Sequence, residues 1–171
     1  YATPRTPSII SQPFGTSEYD LFHFETLSDG SWGNNKFKAS IRNVRKSDNQ
    51  NDPYGTFTVE IRNFYDTDMS AEVIESYPEC SLNPKSERYV AAVIGDMKAR
   101  YNFDAEDEEE RRIIVSGKYP NKSTLVRVVM SNMIESGEVP STALPFGFRG
   151  VPVINTNNSL TDRTVAGAAI A

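Results

Sequence analysis

The sequence is poor in the residues that bind metals and form covalent cross-links. Among 171 residues there is one cysteine, Cys80, and one histidine, His23. A single cysteine cannot form a disulfide within the chain, and together with one histidine it cannot supply the four ligands of a structural zinc site. The sequence therefore predicts a fold that is stabilised by packing and holds no cofactor.

Long apolar runs and an excess of positive charge are also missing. No stretch approaches the roughly 20 apolar residues that span a bilayer. The 18 Lys and Arg residues are outnumbered by 23 Asp and Glu residues, which gives a net charge of −5. Such a chain creates no general attraction for phosphate. We therefore expect neither a nucleic acid nor a membrane to be a partner.

The overall composition is that of an ordinary globular domain. Hydrophobic residues make up 38% of the chain, with 10 glycines and 10 prolines, which excludes collagen-like and low-complexity proteins.

The chain is expected to divide into three parts. Residues 1–18 are expected to form an extended, weakly ordered leading segment, residues 19–150 a β-rich domain, and residues 151–171 a linker. We expect the sequence to be an interior piece of a longer protein.

Alternating apolar and polar residues predict most of the strands. Residues 37–42 and 57–62 both alternate, which predicts two half-buried strands that form a hairpin. In this register Val59 points into the core and Thr58 points to solvent. Five further stretches favour strands and bring the count to about seven: 19–26, 72–77, 100–104, 111–118 and 124–131.

One stretch has the pattern of a helix. Asn83 is a favourable N-cap, Pro84 suits the first helical position, and Gly95 suits the position after the last turn. These signals predict a short helix near residues 84–94. Short strands with one helix indicate a mainly β protein with minor α (α+β), built as an antiparallel β-sandwich or barrel of about seven strands.

Candidate catalytic residues are few. Any Ser-His-Asp or Cys-His mechanism would need His23, which lies in a predicted strand and is interpreted as part of a sheet face. Asp66 and Asp68 could form the carboxylate pair of a hydrolase, but Asp residues directly after a strand favour a turn. Trp32 lies in a loop rich in Gly and Asn and could stack on a sugar, although a loop anchor is the favoured interpretation.

The densest charge lies in residues 104–110, the acidic run, where six of seven residues are Asp or Glu. The run lacks the glycine and the spacing of a calcium loop. Three interpretations remain open: a solvated loop, a patch that contacts a basic partner, and a metal site. The candidate subunit-contact residues in the run are Glu106, Asp107, Glu108, Glu109 and Glu110.

Three motifs follow one another in the middle of the chain: GTFTVEIRNFYDTD at 55–68, VIESY at 73–77 and SLNPKSERYV at 81–90. In their order and gaps they resemble the contractile tail sheath proteins of myophages. In that family a strand ends in an Arg-Asp-Tyr run with a following Asp-Thr-Asp, and a Leu-Asp-Pro turn comes later. With residues 20–30 and 139–150 as supporting pieces, the resemblance spans about residues 19–150.

Four positions depart from the residues that are common in the family: Asn63, Asn83, Lys85 and Glu87. The asparagines lose a charge but keep the ability of Asp to cap helices and form turns. None of the shared motifs is catalytic, so the resemblance implies a structural protein and no enzyme.

The resemblance implies a subunit that polymerises helically around a tail tube and contracts to drive the tube through the host envelope. The implied location is the virion, after synthesis in the bacterial cytoplasm. The implied partners are other sheath subunits and, through parts of the protein expected outside this chain, the tail tube and the baseplate. The alternative is a glycan-binding β-sandwich of a phage or bacterial surface protein, and a hydrolase that uses Asp66 or Asp68 is more remote.

Overall fold

The computed structural model describes residues 2–108 and 111–150, so the expected linker at 151–171 lies outside the described residues. None of the helices in the described part is long and apolar enough to cross a membrane. The strands are β1 (Ile9–Ser11), β2 (Asp20–Thr26), β3 (Phe37–Arg45), β4 (Thr56–Asn63), β5 (Val73–Ser81), β6 (Lys98–Tyr101), β7 (Ile113–Ser116), β8 (Val126–Met130) and β9 (Pro145–Phe148), and the helices are α1 (Trp32–Lys36), α2 (Val90–Ile94) and α3 (Asn132–Glu135).

The strands form three antiparallel sheets. A four-stranded sheet has the order β8-β2-β1-β9, and a three-stranded sheet has the order β3-β4-β5. Strands β6 and β7 pair with each other and form a separate two-stranded sheet, which we call the ribbon. This architecture confirms the mainly β, α+β fold class, with nine strands in the described residues where about seven were expected.

One apolar core joins the two larger sheets. Phe22 and Phe24 of β2 lie in the same cluster as Phe57, Val59 and Ile61 of β4, and each is at most 1% exposed. Burial of a large apolar side chain contributes about 1.5–3 kcal/mol. The pairing of β3 with β4 confirms the hairpin that the alternating residues predicted.

The prediction that Thr58 points to solvent is wrong. Thr58 is 8% exposed, and Arg62, which lies four residues along the same face of β4, is 2% exposed. The turn after β4 folds back and binds Arg62 through two carboxylates. Polar residues on alternate positions therefore do not mark a solvated face in this central strand.

The leading segment contributes a buried strand instead of being weakly ordered. Ile9 of β1 pairs with Phe22 of β2 on one side and with Phe148 of β9 on the other, and its side chain is 1% exposed. A strand of three residues is too short to show an alternating pattern. Its position depends on pairing with a strand that lies far away in sequence, which no local signal indicates.

The helix predicted near residues 84–94 is shorter than expected, because α2 begins at Val90. The side-chain oxygen of Asn83 accepts a hydrogen bond from the backbone N–H of Lys85 (3.0 Å) and forms a local turn. Such side chain–backbone bonds compete with helix formation. Gly95 follows the helix as predicted, with φ at +110° and its N–H bonded to the Ala91 carbonyl (2.9 Å).

Candidate functional site

The acidic run lies in the loop that joins β6 to β7, at the far end of the ribbon. The backbone turns inside this loop, where Nε of Arg111 donates to the carbonyl of Ala105 (3.1 Å). Two candidate residues of the run, Glu109 and Glu110, lie outside the described residues. Four carboxylates are exposed and form no ion pair within the described part of the chain: Asp104, Glu106, Asp107 and Glu108.

One face of the ribbon is apolar and exposed. Tyr101 lies opposite Ile113, and Ala99 lies opposite Val115. Residues that oppose each other in an antiparallel pair share a face, and Phe103 extends this face because its ring centroid lies 4.7 Å from that of Tyr101. Phe103 is 77% exposed, Ile113 65% and Val115 58%. We call these five residues the ribbon face.

The ribbon face and the acidic run together form a candidate interaction surface. The two strands of the ribbon share no hydrogen-bonded ladder with either larger sheet, and a lone pair of strands is marginally stable in water. Large apolar side chains that cluster at an exposed surface are typical of interaction sites. A partner that covers this face would also meet the carboxylates of the adjoining loop.

Hydrogen bonds at its base attach the ribbon to the rest of the domain. Oδ1 of Asp96 accepts from the backbone N–H groups of Lys118 (2.9 Å) and Tyr119 (2.7 Å). The amide of Asn121 binds both backbone groups of Met97, accepting from the N–H (2.9 Å) and donating to the carbonyl (2.8 Å). These bonds satisfy backbone groups where no strand partner is available and orient the ribbon.

Asp66 and Asp68 belong to an ion-pair network that closes the turn after β4. The guanidinium of Arg62 donates to Asp66 through Nε (2.6 Å) and Nη2 (2.9 Å), and to Asp68 through Nη1 (2.8 Å). Nζ of Lys38 lies 2.7 Å from Asp66, which also accepts from the backbone N–H of Glu72 (2.8 Å). The structure thus agrees with the favoured interpretation of these residues as turn formers.

The same contacts keep both carboxyl groups ionised. Hydrogen bonds from Arg62 hold the pKa of Asp66 well below its usual range, and those from Lys38 act in the same direction. Hydrogen bonding to Arg62 also lowers the pKa of Asp68. A general acid has to hold a proton near neutral pH, so this arrangement gives no support to a hydrolase.

Trp32 is partly anchored and partly open. Its ring packs edge to face on Phe37, with 5.9 Å between the centroids, and is 52% exposed. Gly33, which follows it, lines a cavity of about 200 Å³ to which Phe37 and Phe64 also contribute. Trp32 is the first residue of α1, so its expected position in a loop is wrong. The contact with Phe37 still agrees with an anchoring role for the ring.

Neither His23 nor Cys80 forms a nucleophilic pair within the described residues. Nε2 of His23 is buried without a hydrogen-bond partner, 3.6 Å from Oε1 of Glu25. The Cys80 thiol is buried and donates to the carbonyl of Tyr77 (3.4 Å). Burial raises the pKa of Cys80 to about 11, and a protonated thiol is a poor nucleophile.

Across residues 2–108 and 111–150, no three His, Cys, Asp or Glu side chains are grouped so that they could hold a metal ion. Comparisons with protein-family models, with curated proteins and with solved structures found no match to this chain. Its function therefore has to be inferred from its own residues and their geometry.

The sequence singled out the acidic run but missed the ribbon face beside it. Ile113, Ile114 and Val115 are consecutive apolar residues, so their pattern does not show which of them point to an open surface. The register with β6 supplies that information. The available signal was the pair Tyr101 and Phe103, two aromatic residues at strand spacing directly before a strongly acidic loop.

Proposed function

We propose that this chain is part of a structural subunit of a contractile phage tail sheath, a virion protein that polymerises helically around a tail tube and contracts to drive it through the host envelope. The observation that carries the proposal concerns residues 62–68, which belong to the first of the three motifs that resemble the sheath family. Arg62 binds Asp66 and Asp68 within this motif and closes a turn. A motif whose charges neutralise one another around a turn supports a structural role.

The open ribbon face supports the same proposal. A subunit that is tiled into a filament needs surfaces that are exposed in the isolated chain and covered after assembly. The ribbon face has this property, and the acidic run beside it favours a basic partner. A rigid core that joins the two larger sheets also suits a part that has to change neighbours without unfolding.

Electron microscopy of the full-length protein that contains this chain tests the proposal. When that protein is expressed alone, we expect regular hollow cylinders, because sheath subunits carry their own assembly contacts. A test variant of the same protein, with Asp66→Asn and Arg62→Gln, loses the ion pairs that close this turn and should give fewer or irregular cylinders. Monodisperse particles from the unaltered protein, at every salt concentration tried, would overturn the proposal.

A glycan-binding module is the second candidate, and the exposed ring of Trp32 is the observation that favours it. Exposed aromatic rings can stack on sugars, and the ring of Trp32 packs on Phe37, which lines the neighbouring cavity together with Phe64. A glycan array with the unaltered chain and with Trp32→Ala separates the candidates. Binding that Trp32→Ala abolishes, and that the control Phe103→Ala at an exposed aromatic of the ribbon face leaves intact, would favour the glycan module.

A further inference from the structure

An open groove lies between the edge strands of the two larger sheets. β3 is an outer strand of the three-stranded sheet, and β9 is an outer strand of the four-stranded sheet. Residues of both strands border a groove of about 490 Å³. Its apolar lining is accessible, since Phe146 is 71% exposed and both Val44 and Phe148 are about 40% exposed. We call this the edge groove.

Positive charge borders one end of the edge groove. Arg42 lines it together with Arg62 and the exposed carboxylate Asp68, and Arg42 is paired with Glu60 (3.2 Å) and, at 3.7 Å, with Asp68. Arg45, the last residue of β3, and Lys46 come directly after Val44 of the groove lining. Both are exposed and form no ion pair with any residue that the structure describes. This end of the groove therefore carries two cations whose charge is not neutralised by an ion pair with a described residue.

We propose that the ribbon face of one copy of the chain docks into the edge groove of a second copy, with the described carboxylates of the acidic run, Asp104, Glu106, Asp107 and Glu108, against Arg45 and Lys46. Both surfaces present exposed apolar side chains, and the unpaired charges that adjoin them have opposite signs. Burial of the apolar side chains supplies the affinity, and the complementary charges set the orientation. The contact rests on the proposed function, because its occupant is a second copy of the same chain.

The contact joins two different surfaces, so it does not close on itself in a pair. A docked pair still presents one free ribbon face on one copy and one free edge groove on the other, and repetition of the contact produces an open chain of subunits. A twofold dimer formed through two ribbons would leave the acidic run without a basic partner. The geometry therefore points to head-to-tail association.

Cysteine cross-linking tests the contact. The native Cys80 can be kept, because its side chain is buried. The test variant carries Val115→Cys on the ribbon face and Phe146→Cys in the edge groove. The matched control carries Ser116→Cys, one residue along on the opposite face of the ribbon, with the same Phe146→Cys. Both are oxidised with diamide at about 1 mM protein, a concentration that populates weak contacts. Thermal melts before oxidation check that both variants are folded.

We expect a ladder of dimers, trimers and larger species from the test variant on a non-reducing gel, and no such ladder from the control. Raising the salt from about 50 mM to about 500 mM should slow ladder formation. Adding Glu106→Gln and Glu108→Gln should remove most of that salt dependence. A test variant that gives no more ladder than the control, or a single Val115→Cys variant that forms dimers just as fast, would overturn the contact.

The result can be separated from that of the proposed function. Hollow cylinders from the full-length protein without cross-linking between Val115→Cys and Phe146→Cys would reject the contact and leave the sheath proposal standing. A cross-linked ladder together with no cylinders would support the contact and reject the sheath.

Discussion

The ring of Phe22 lies nearly parallel to the ring of Phe57, with 17° between their planes and 5.9 Å between their centroids. Phe22 belongs to β2 of the four-stranded sheet, and Phe57 belongs to β4 of the three-stranded sheet. Aromatic pairs contribute about 0.5–1.5 kcal/mol beyond the area that they bury. This stack is therefore one of the contacts that hold the two larger sheets together.

Truncation of this stack should destabilise the chain strongly. We expect Phe57→Ala to lower the free energy of unfolding by about 3–5 kcal/mol, because it leaves a cavity between the sheets. Urea denaturation measures the change. The matched control is Phe146→Ala, an exposed Phe in the edge groove, which should change the free energy by only about 0.5 kcal/mol. Equal decreases in the free energy of unfolding for the two variants would contradict the assignment of Phe57 to the core.

The two carboxylates that bind Arg62 should differ in their effect on stability. The side chain of Asp66 is fully buried against Arg62 and Lys38, whereas that of Asp68 is 90% exposed. Asp66→Asn removes the charge that compensates a buried guanidinium, and it should lower the melting temperature at pH 7 clearly more than Asp68→Asn. Thermal melts of the two variants measure this difference. A larger decrease in melting temperature for Asp68→Asn than for Asp66→Asn would refute the described turn.

Acid should weaken the link that Glu75 of β5 makes to the segment before β8. Its carboxylate accepts hydrogen bonds from the Ser123 hydroxyl (2.6 Å), the Thr124 N–H (3.1 Å) and the Tyr77 hydroxyl (3.0 Å). Burial raises the pKa of Glu75, but the hydrogen bonds from Ser123 and Thr124 outweigh it, and the pKa lies below the ordinary value.

A carboxyl group with a lowered pKa binds fewer protons in the folded state than in the unfolded state. The stability that Glu75 contributes is therefore present above about pH 4.3 and is lost as the pH falls through its folded pKa. We expect Glu75→Gln to reduce the loss of unfolding free energy between about pH 5 and pH 3, measured by urea denaturation. The exposed Glu87→Gln is the control, and identical pH profiles for Glu75→Gln and the unaltered chain would reject this role.

Neutralisation of the acidic run should leave the fold intact and change association. In the isolated chain, Glu106→Gln with Glu108→Gln and Glu109→Gln should leave the melting temperature unchanged or slightly higher, because like charges are removed. Exposed charges are screened over about 8 Å at physiological ionic strength. The same triple change should therefore flatten the salt dependence of assembly in the full-length protein, measured by light scattering. An unaltered dependence would leave the run as an ordinary solvated loop.

Local patterns determined a large part of the fold. The alternation at residues 57–62 predicts a strand and its register, because side chains point to opposite faces of a strand with a period of two. Asp66 after that strand predicts a turn, since a short carboxylate side chain can bind nearby backbone N–H groups. Gly95 predicts the end of α2, where the backbone adopts a positive φ. Each of these features is decided within a few residues.

The tertiary structure alone decided which surfaces are covered. Ile9 is buried because it pairs with Phe22 and Phe148, and Thr58 is buried although its neighbours alternate like those of a half-exposed strand. The ribbon face is open because β6 and β7 pair only with each other among the described strands. Exposure depends on contacts between residues that are distant in sequence, whereas strand and turn propensities act within short stretches. Local sequence therefore determined the central strands and their turns, and long-range packing determined the position of β1 and which faces remain free to bind a partner.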